Sequence, residues 1–332
     1  MGHRLKLTRR QILQTGAVMG AGLMFGGLSG CVGSRGSGSG SASTDGTPTV
    51  YMTKDISPTG LMAVYKALGR KATGKVAVKL HMGEPGGHNF LSPTLIRDFL
   101  SSVHGTIVDS NTAYYGQRVS TALHLQAAKD HGFTAVAPVD ILDADGTISL
   151  PVTNGSHLKE DVVGSHYQDY DFFVILSHFK GHAMGGFGGA IKNMAIGIAS
   201  VKGKNLIHTA GASSTSMWGG AQDPFLESMA EAAKAVADDR GDKILYINVM
   251  NRLSVDCDCD SSPAEPDMRD IGILASLDPV ALDKACVDLV YAASDGKSLV
   301  VRIESRNGTH MLDHAEKIGL GSQTYKLVSI AG

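Results

Sequence analysis

The sequence predicts an α/β architecture, a mostly parallel sheet covered by helices on both faces and arranged in one or two lobes, and three observations predict it. Short apolar runs are continuous rather than alternating, as in strands buried on both sides. Amphipathic stretches with helical punctuation separate these runs. Polar residues bunch just beyond several of them, where open parallel sheets hold their ligands. At 332 residues with 43% hydrophobic content, the chain can bury a sizeable core.

Residues 1–31 read as an address. Thr8-Arg9-Arg10-Gln11-Ile12-Leu13 is a twin-arginine arrangement, and the Gly- and Ala-rich stretch 16–30 is shorter than the roughly 20 residues a spanning helix needs. Leu28-Ser29-Gly30-Cys31 resembles a lipobox, which makes Cys31 the lipidation site and mature N-terminus. The expectation is an exported lipoprotein, anchored to a membrane of the cell envelope and facing the periplasm or exterior. Residues 32–49, with GSRGSGSGSASTDGTPT at their heart, read as a flexible tether, and 50–332 as the α/β domain. Twin-arginine export carries folded proteins, often with a cofactor loaded. Four of the 30 basic residues, Arg4, Lys6, Arg9 and Arg10, lie in the address, leaving 26 against 32 acidic ones. Nucleic acid is therefore excluded as a partner, for want of a clustered positive field.

Within the domain, Val76-Ala77-Val78-Lys79-Leu80, Thr106-Ile107-Val108, Phe172-Phe173-Val174-Ile175-Leu176, Ile244-Leu245-Tyr246-Ile247 and Ile271-Gly272-Ile273-Leu274 read as buried strands. Ser92-Pro93 opens a helix that ends at Gly105, Asp223-Pro224 opens FLESMAEAAKAVADDRG, and Asp278-Pro279 opens VALDKACVDLVY. Cys286 falls on the apolar face of the last of these and reads as a core thiol. His310 and His314 read as a solvated helix face.

The polar clusters follow the strands. His81 stands after the first, Asp109 and Asn111 after the second, and Ser177, His178 and His182 after the third. Gly185, Gly186, Gly188 and Gly189 then lead to a helix beginning near Ile191, so they could present backbone N–H groups to a phosphate or carboxylate. Their spacing fits neither the Walker nor the dinucleotide fingerprint. His178 and His182 lack the glutamate of a zincin motif, and the glycines argue for a loop. Asp256-Cys257-Asp258-Cys259-Asp260 sets two thiols one residue apart among carboxylates; a soft or borderline metal, part of a cluster, or a strained disulfide all suit it. Cys257, Cys259 and Cys286 are too few for an all-cysteine cluster within the domain.

GTIVDSNTAYYGQR, LSHFKGHAMGGFGGAIKNMAIGIAS and DIGILASLDPVALDKACVDLV resemble blocks of the domain-of-unknown-function 362 family, whose members are often labelled iron–sulfur proteins because many carry an inserted ferredoxin module. No such cysteine-rich insert stands here. His182, the glycine run, Lys192, Gly197-Ile198-Ala199-Ser200 and His208 are similar in order and spacing to the core of the nickel-pincer lactate racemase family. That resemblance implies a covalently held pyridinium nucleotide on Lys192, a nickel ligand in His208 and a catalytic acid/base in His182. Gly116-Gln117-Arg118 with Thr121 resembles a second racemase element, with Gln117 in place of a catalytic histidine. Glutamine does not titrate at neutral pH, so racemisation with a base on each face of the carbon lacks one partner.

The expected function is binding of a metal, nickel or iron, or of a metal-bearing cofactor in a crevice at the strand carboxyl ends, with iron–sulfur-type redox or racemase-like chemistry. His182, Lys192, Gln117 and Arg118 are the candidate catalytic residues. Gly185, Gly186, Gly188, Gly189, Lys192, Asp109 and Asn111 are candidates for holding the cofactor, and His208, His178, His81, Cys257, Cys259 and Asp256 for the metal. The alternative is a non-catalytic envelope binding protein or assembly factor that grips a small anionic ligand or a partner.

Overall fold

The computed structural model describes residues 46–331. The address and most of the tether, with Cys31, lie outside them. Among the described residues no helix is long and apolar enough to cross a membrane.

Five runs of apolar sequence become neighbours in one eight-stranded sheet. Its parallel part comprises β2 (Val76–Lys79), β3 (Thr106–Asp109), β4 (Val139–Ile141), β7 (Phe172–His178) and β10 (Ile244–Met250). β11 (Gly272–Ser276) is antiparallel to β10 and to β1 (Thr49–Thr53), and β1 is parallel to β12 (Lys326–Ser329). The full order is β12-β1-β11-β10-β7-β2-β3-β4. β1 starts at Thr49, the last residue read as tether, and the run at Ile271 is a strand of the opposite direction to its neighbours. Smaller hairpins are made by β5 (Thr147–Pro151) with β6 (Glu160–Gly164), and by β8 (Lys180–His182) with β9 (Gly186–Gly188).

Continuity of the apolar runs has its physical cause in two cores. Phe173 and Ile175 of β7 enter one, while Phe172, Val174 and Leu176 enter the other. The first core takes in α4 (Ala190–Ile198), α6 (Gln222–Arg240), α7 (Pro279–Ala292), α8 (Lys297–Ser305) and α9 (His310–Lys317). The second lies under α1 (Pro58–Ala67) and α2 (Pro93–Val103). α3 (Thr121–Asp130) adds Ala128 to the second core and α5 (Val201–His208) adds Ile207 to the first.

Helix punctuation acts as its chemistry requires. Ser92 caps α2 by accepting from the Thr94 N–H, and Asp278 caps α7 by accepting from Val280 and Ala281, each ahead of a proline. α2 ends at Val103, with His104 in the left-handed region and Gly105 beyond. α6 begins at Gln222, ahead of Asp223-Pro224, because Asp223 is engaged with the Asn307 amide at 2.8 Å rather than capping. Cys286 is fully buried in the first core, as its helical face required. His314 is buried too, its Nε2 3.1 Å from Glu231, and His310 binds Glu227 at 2.9 Å, so that face of α9 packs on α6 instead of facing water.

Candidate functional site

Carboxyl ends of β2, β3, β7 and β10 open towards one cavity of about 290 Å³. Its walls include Lys79, His81, Asp109, Arg118, Lys180, His182, Gly188, Gly189, Lys192, Lys204, His208, Cys257 and Cys259. The convergence expected from strand-end chemistry is therefore present, with additional lysines.

Lys79 is the last residue of the buried strand β2, where an unpaired ammonium would be costly. Its Nζ bonds Asp109 at 3.1 Å, Asn193 Oδ1 at 2.8 Å and the Leu80 carbonyl at 3.1 Å. A Cβ on Gly197 would sit 2.2 Å from Lys79 Cε, so the glycine makes room for this ammonium. Burial lowers the Lys79 pKa against the pull of Asp109. Asp109 faces more than one cation: burial raises its pKa, but Lys79 and His124 outweigh it and hold the carboxyl well below its usual range. Asn193 also donates to the Lys79 and Leu176 carbonyls and to Ser177 Oγ, tying α4 across the ends of β2 and β7. Lys192, one residue earlier on that helix, is thereby set in the cavity wall.

The glycine run is a buried hairpin rather than a loop, with Phe179 and Phe187 stacked at 5.5 Å across it. Gly185 lies in its turn and Gly186 opens β9 opposite His182, and neither lines the cavity, while Gly188 and Gly189 do. The N-terminus of α4 is closed to outside anions, because Ala190 and Ile191 donate to Asp283 at 2.7 and 3.0 Å. The glycines thus provide shape, and their predicted role as a backbone anion cradle is replaced by this internal carboxylate. Burial raises the Asp283 pKa to about 6.

The Cys257–Cys259 loop is pinned against β8. Gly181 donates to Ser254 O, and a Cβ there would stand 2.1 Å from Val255 O, so only glycine permits the approach. Asp258 points inward between His178 Nδ1 at 2.9 Å and Lys180 at 3.0 Å. Burial pushes Asp258 up, but His178 and Lys180 hold it well below the carboxylate range. The thiols then face the cavity. Cys259 lowers the Cys257 pKa by hydrogen bonding; burial opposes this, and Lys192 and Lys180 assist. The sulfurs and a His182 ring nitrogen lie within 4.8 Å of one another.

The histidines separate by what they already bond. His178 has a carboxylate at Nδ1 and the Asn251 carbonyl at Nε2, 2.6 Å away, leaving no lone pair for a metal. His182 Nδ1 accepts from Gly185 N–H at 2.8 Å and Met184 N–H at 3.2 Å, so its neutral ring carries the proton on Nε2. His81 does likewise, accepting from Gly83 at 3.0 Å. Burial first, then nearby cations, keeps both His81 and His182 well below the usual imidazole pKa. His208 is the reverse: Nδ1 donates to the Lys204 carbonyl at 2.7 Å, leaving a lone pair on Nε2. Burial pushes His208 down to about 4, and its ring stacks on Phe225 at 4.8 Å.

Several expected ligands fall elsewhere. Asn111 binds Thr121 through its side chain and Asp143 through its N–H, bracing the loop after β3. Asp256 is paired with Arg302 at 3.2 Å and accepts from Ala264. Asp256 and Gln117 line an adjoining cavity, where the Gln117 N–H is bonded to Glu84. Arg118 reaches the main cavity, but its guanidinium is committed to Glu84 at 2.8 Å and Tyr114 at 2.7 Å. Lys180 and Lys204 also line it, and no single motif marked them. Lys79 left a readable signal, a charge inside an apolar strand.

Residues 76–288 match the family described as Domain of unknown function (DUF362). The chain belongs to that family. Among solved structures, a lactate racemase apoprotein from Thermoanaerobacterium thermosaccharolyticum is similar at 17% identity and TM-score 0.37, over 60% of this chain and 50% of that one. A crystal structure of a Thermotoga maritima protein is similar at 13% identity and TM-score 0.40, over 78% of this chain and 58% of that one. This chain thus spans about half the length of the first and under two thirds of the second. No curated protein matches.

Proposed function

We propose that this DUF362 protein is an exported, lipid-anchored binder of a thiophilic metal ion or metal-bearing cofactor. The observation that carries the reading is the convergence of Cys257 Sγ, Cys259 Sγ and an imidazole within 4.8 Å in a wall of the cation-lined cavity. The donors suit a borderline or soft metal such as nickel, iron or zinc. Cys257 and Cys259 would supply thiolates beside His182, the imidazole of that group, and His208, which lines the same cavity outside the 4.8 Å group, has a lone pair ready for a further ligand position. His182 would bind metal only by giving up two backbone N–H bonds, so its role is to offer Nε2–H to a ligand of the metal. Once bound, the metal would supply Lewis-acid or redox chemistry. The resemblance to nickel-pincer racemases agrees with a role for Lys192 and His208. Gln117 favours another reaction, since its side chain does not titrate. Export and lipidation rest on Arg9-Arg10 and Cys31, which lie outside the described residues.

Cobalt(II) titration of the soluble domain tests the metal site. A stoichiometric thiolate-to-cobalt absorption band is expected, lost in Cys257→Ser and Cys259→Ser while the far-UV spectrum is kept. No band in the reduced wild-type protein defeats the reading. For the anchor, Cys31→Ala expressed in a bacterial host should lose lipid label and leave the membrane fraction; retained label would rule out this lipidation site.

A further inference from the structure

Charges around the cavity do not balance. Three of its cations have carboxylate partners: Lys79 with Asp109, Lys180 with Asp258, and Arg118 with Glu84. Lys192 and Lys204 have none within 4.0 Å among the described residues. Two carboxyls lie near Lys204 without pairing to it: Asp143 already accepts the Asn111 and Val201 N–H groups, and burial raises the Asp161 pKa to about 8, which keeps that carboxyl largely neutral. Lys204 Nζ bonds only the Ala199 carbonyl, at 2.5 Å, although an ammonium carries three donors. His182 adds the N–H donor described above.

We propose that the cavity selects a small dianion, a phosphomonoester or a dicarboxylate, held by Lys192 and Lys204 and oriented by His182 Nε2–H. Two uncompensated ammoniums in a site of about 290 Å³ call for two negative charges on a compact ligand. This deepens the metal reading and rests on it in one respect: a divalent ion would neutralise the two thiolates, leaving the lysine surplus intact. Lysine ammoniums act as point charges rather than planar forks, so they accept either ligand geometry. Asp283 already occupies the nearby helix N-terminus, which leaves side chains as the anion's donors.

Calorimetry on the soluble domain, with and without cobalt(II), tests the assignment using inorganic phosphate, malonate and acetate. Phosphate or malonate should bind at least about tenfold more tightly than acetate. The preferred dianion distinguishes a phosphate site from a dicarboxylate site, and either preference supports the proposal. Lys204→Met should weaken that dianion about tenfold or more, Lys204→Arg should restore much of it, and both should keep the cobalt band. Because Lys204 is buried, Lys192→Met, at a half-buried position, provides the same test if the first variant fails to fold. Equal affinity for acetate and both dianions, or dianion affinity unchanged in a folded lysine-to-methionine variant, overturns the proposal. Dianion selectivity without a cobalt band would defeat the metal reading alone.

Discussion

At the residue scale, Lys79 shows how a charge survives inside a sheet. It has Asp109, Asn193 Oδ1 and a carbonyl around its ammonium, and Gly197 clears the space. Lys79→Met leaves Asp109 buried with less compensation; a loss of about 3–5 kcal/mol in urea unfolding is expected. A loss within error would show that water or His124 already satisfies the carboxylate. The histidines are just as specific: His182 and His208 carry their neutral protons on opposite nitrogens because one accepts backbone N–H groups and the other donates to a carbonyl. Nitrogen-15 NMR should resolve Nε2–H for His182 and Nδ1–H for His208; the same tautomer at both would contradict the assignment.

At the element scale, the β8–β9 hairpin and Cys257–Cys259 loop form one unit through the Gly181 contact with Val255. Gly181→Ala should displace the loop and abolish cobalt binding while largely preserving helix content by circular dichroism. Intact cobalt binding would mean that the loop yields without moving its sulfurs. The sequence displayed much of this scale. Continuous apolar runs located β2, β3, β7, β10 and most of β11, since burial on both faces leaves that signature. It did not display the direction of β11, which depends on pairing with β1 across more than two hundred residues. Ser57-Pro58 opens α1 by the same chemistry as Ser92-Pro93, yet the weak apolar pattern beside it drew no reading. Cys257 and Cys259 were legible as unusual types in a cluster, and Lys192 through the resemblance of its stretch to the racemase core. Lys204 and Lys180 were not, because a lysine without its spatial neighbours resembles any solvated one. Asn111, Asp256 and His178 looked like ligands by type, but internal partners consume their donors and acceptors.

Across the whole molecule, titration favours the folded form at neutral pH. Folded His81, His182 and His208 have pKa values depressed below 6.5, so the unfolded chain takes up protons first as pH falls. Each contributes stability that is present above pH 6.5 and declines below it by about 1.4 kcal/mol per pH unit while only the unfolded form titrates. Asp109 and Asp258 act in the same sense lower down, since their contribution is lost as pH falls through and below 3.8. His166, Asp161 and Asp283 work against this trend and reduce its slope, because Asp140 and Asp145 raise the His166 pKa while burial raises Asp161 to about 8 and Asp283 to about 6. Urea melts of the metal-free domain should therefore show falling stability from about pH 6.5 downwards; a flat profile to pH 4.5 would refute the balance. The Asp283 contact with α4 also bears on which ligands this site can come to bind. An intramolecular carboxylate competes with any diffusing anion at a very high effective concentration, so the helix end is permanently spoken for. Ligand choice then rests with replaceable side chains on a fixed scaffold, and exchanging one wall lysine can change what is bound without redrawing the backbone.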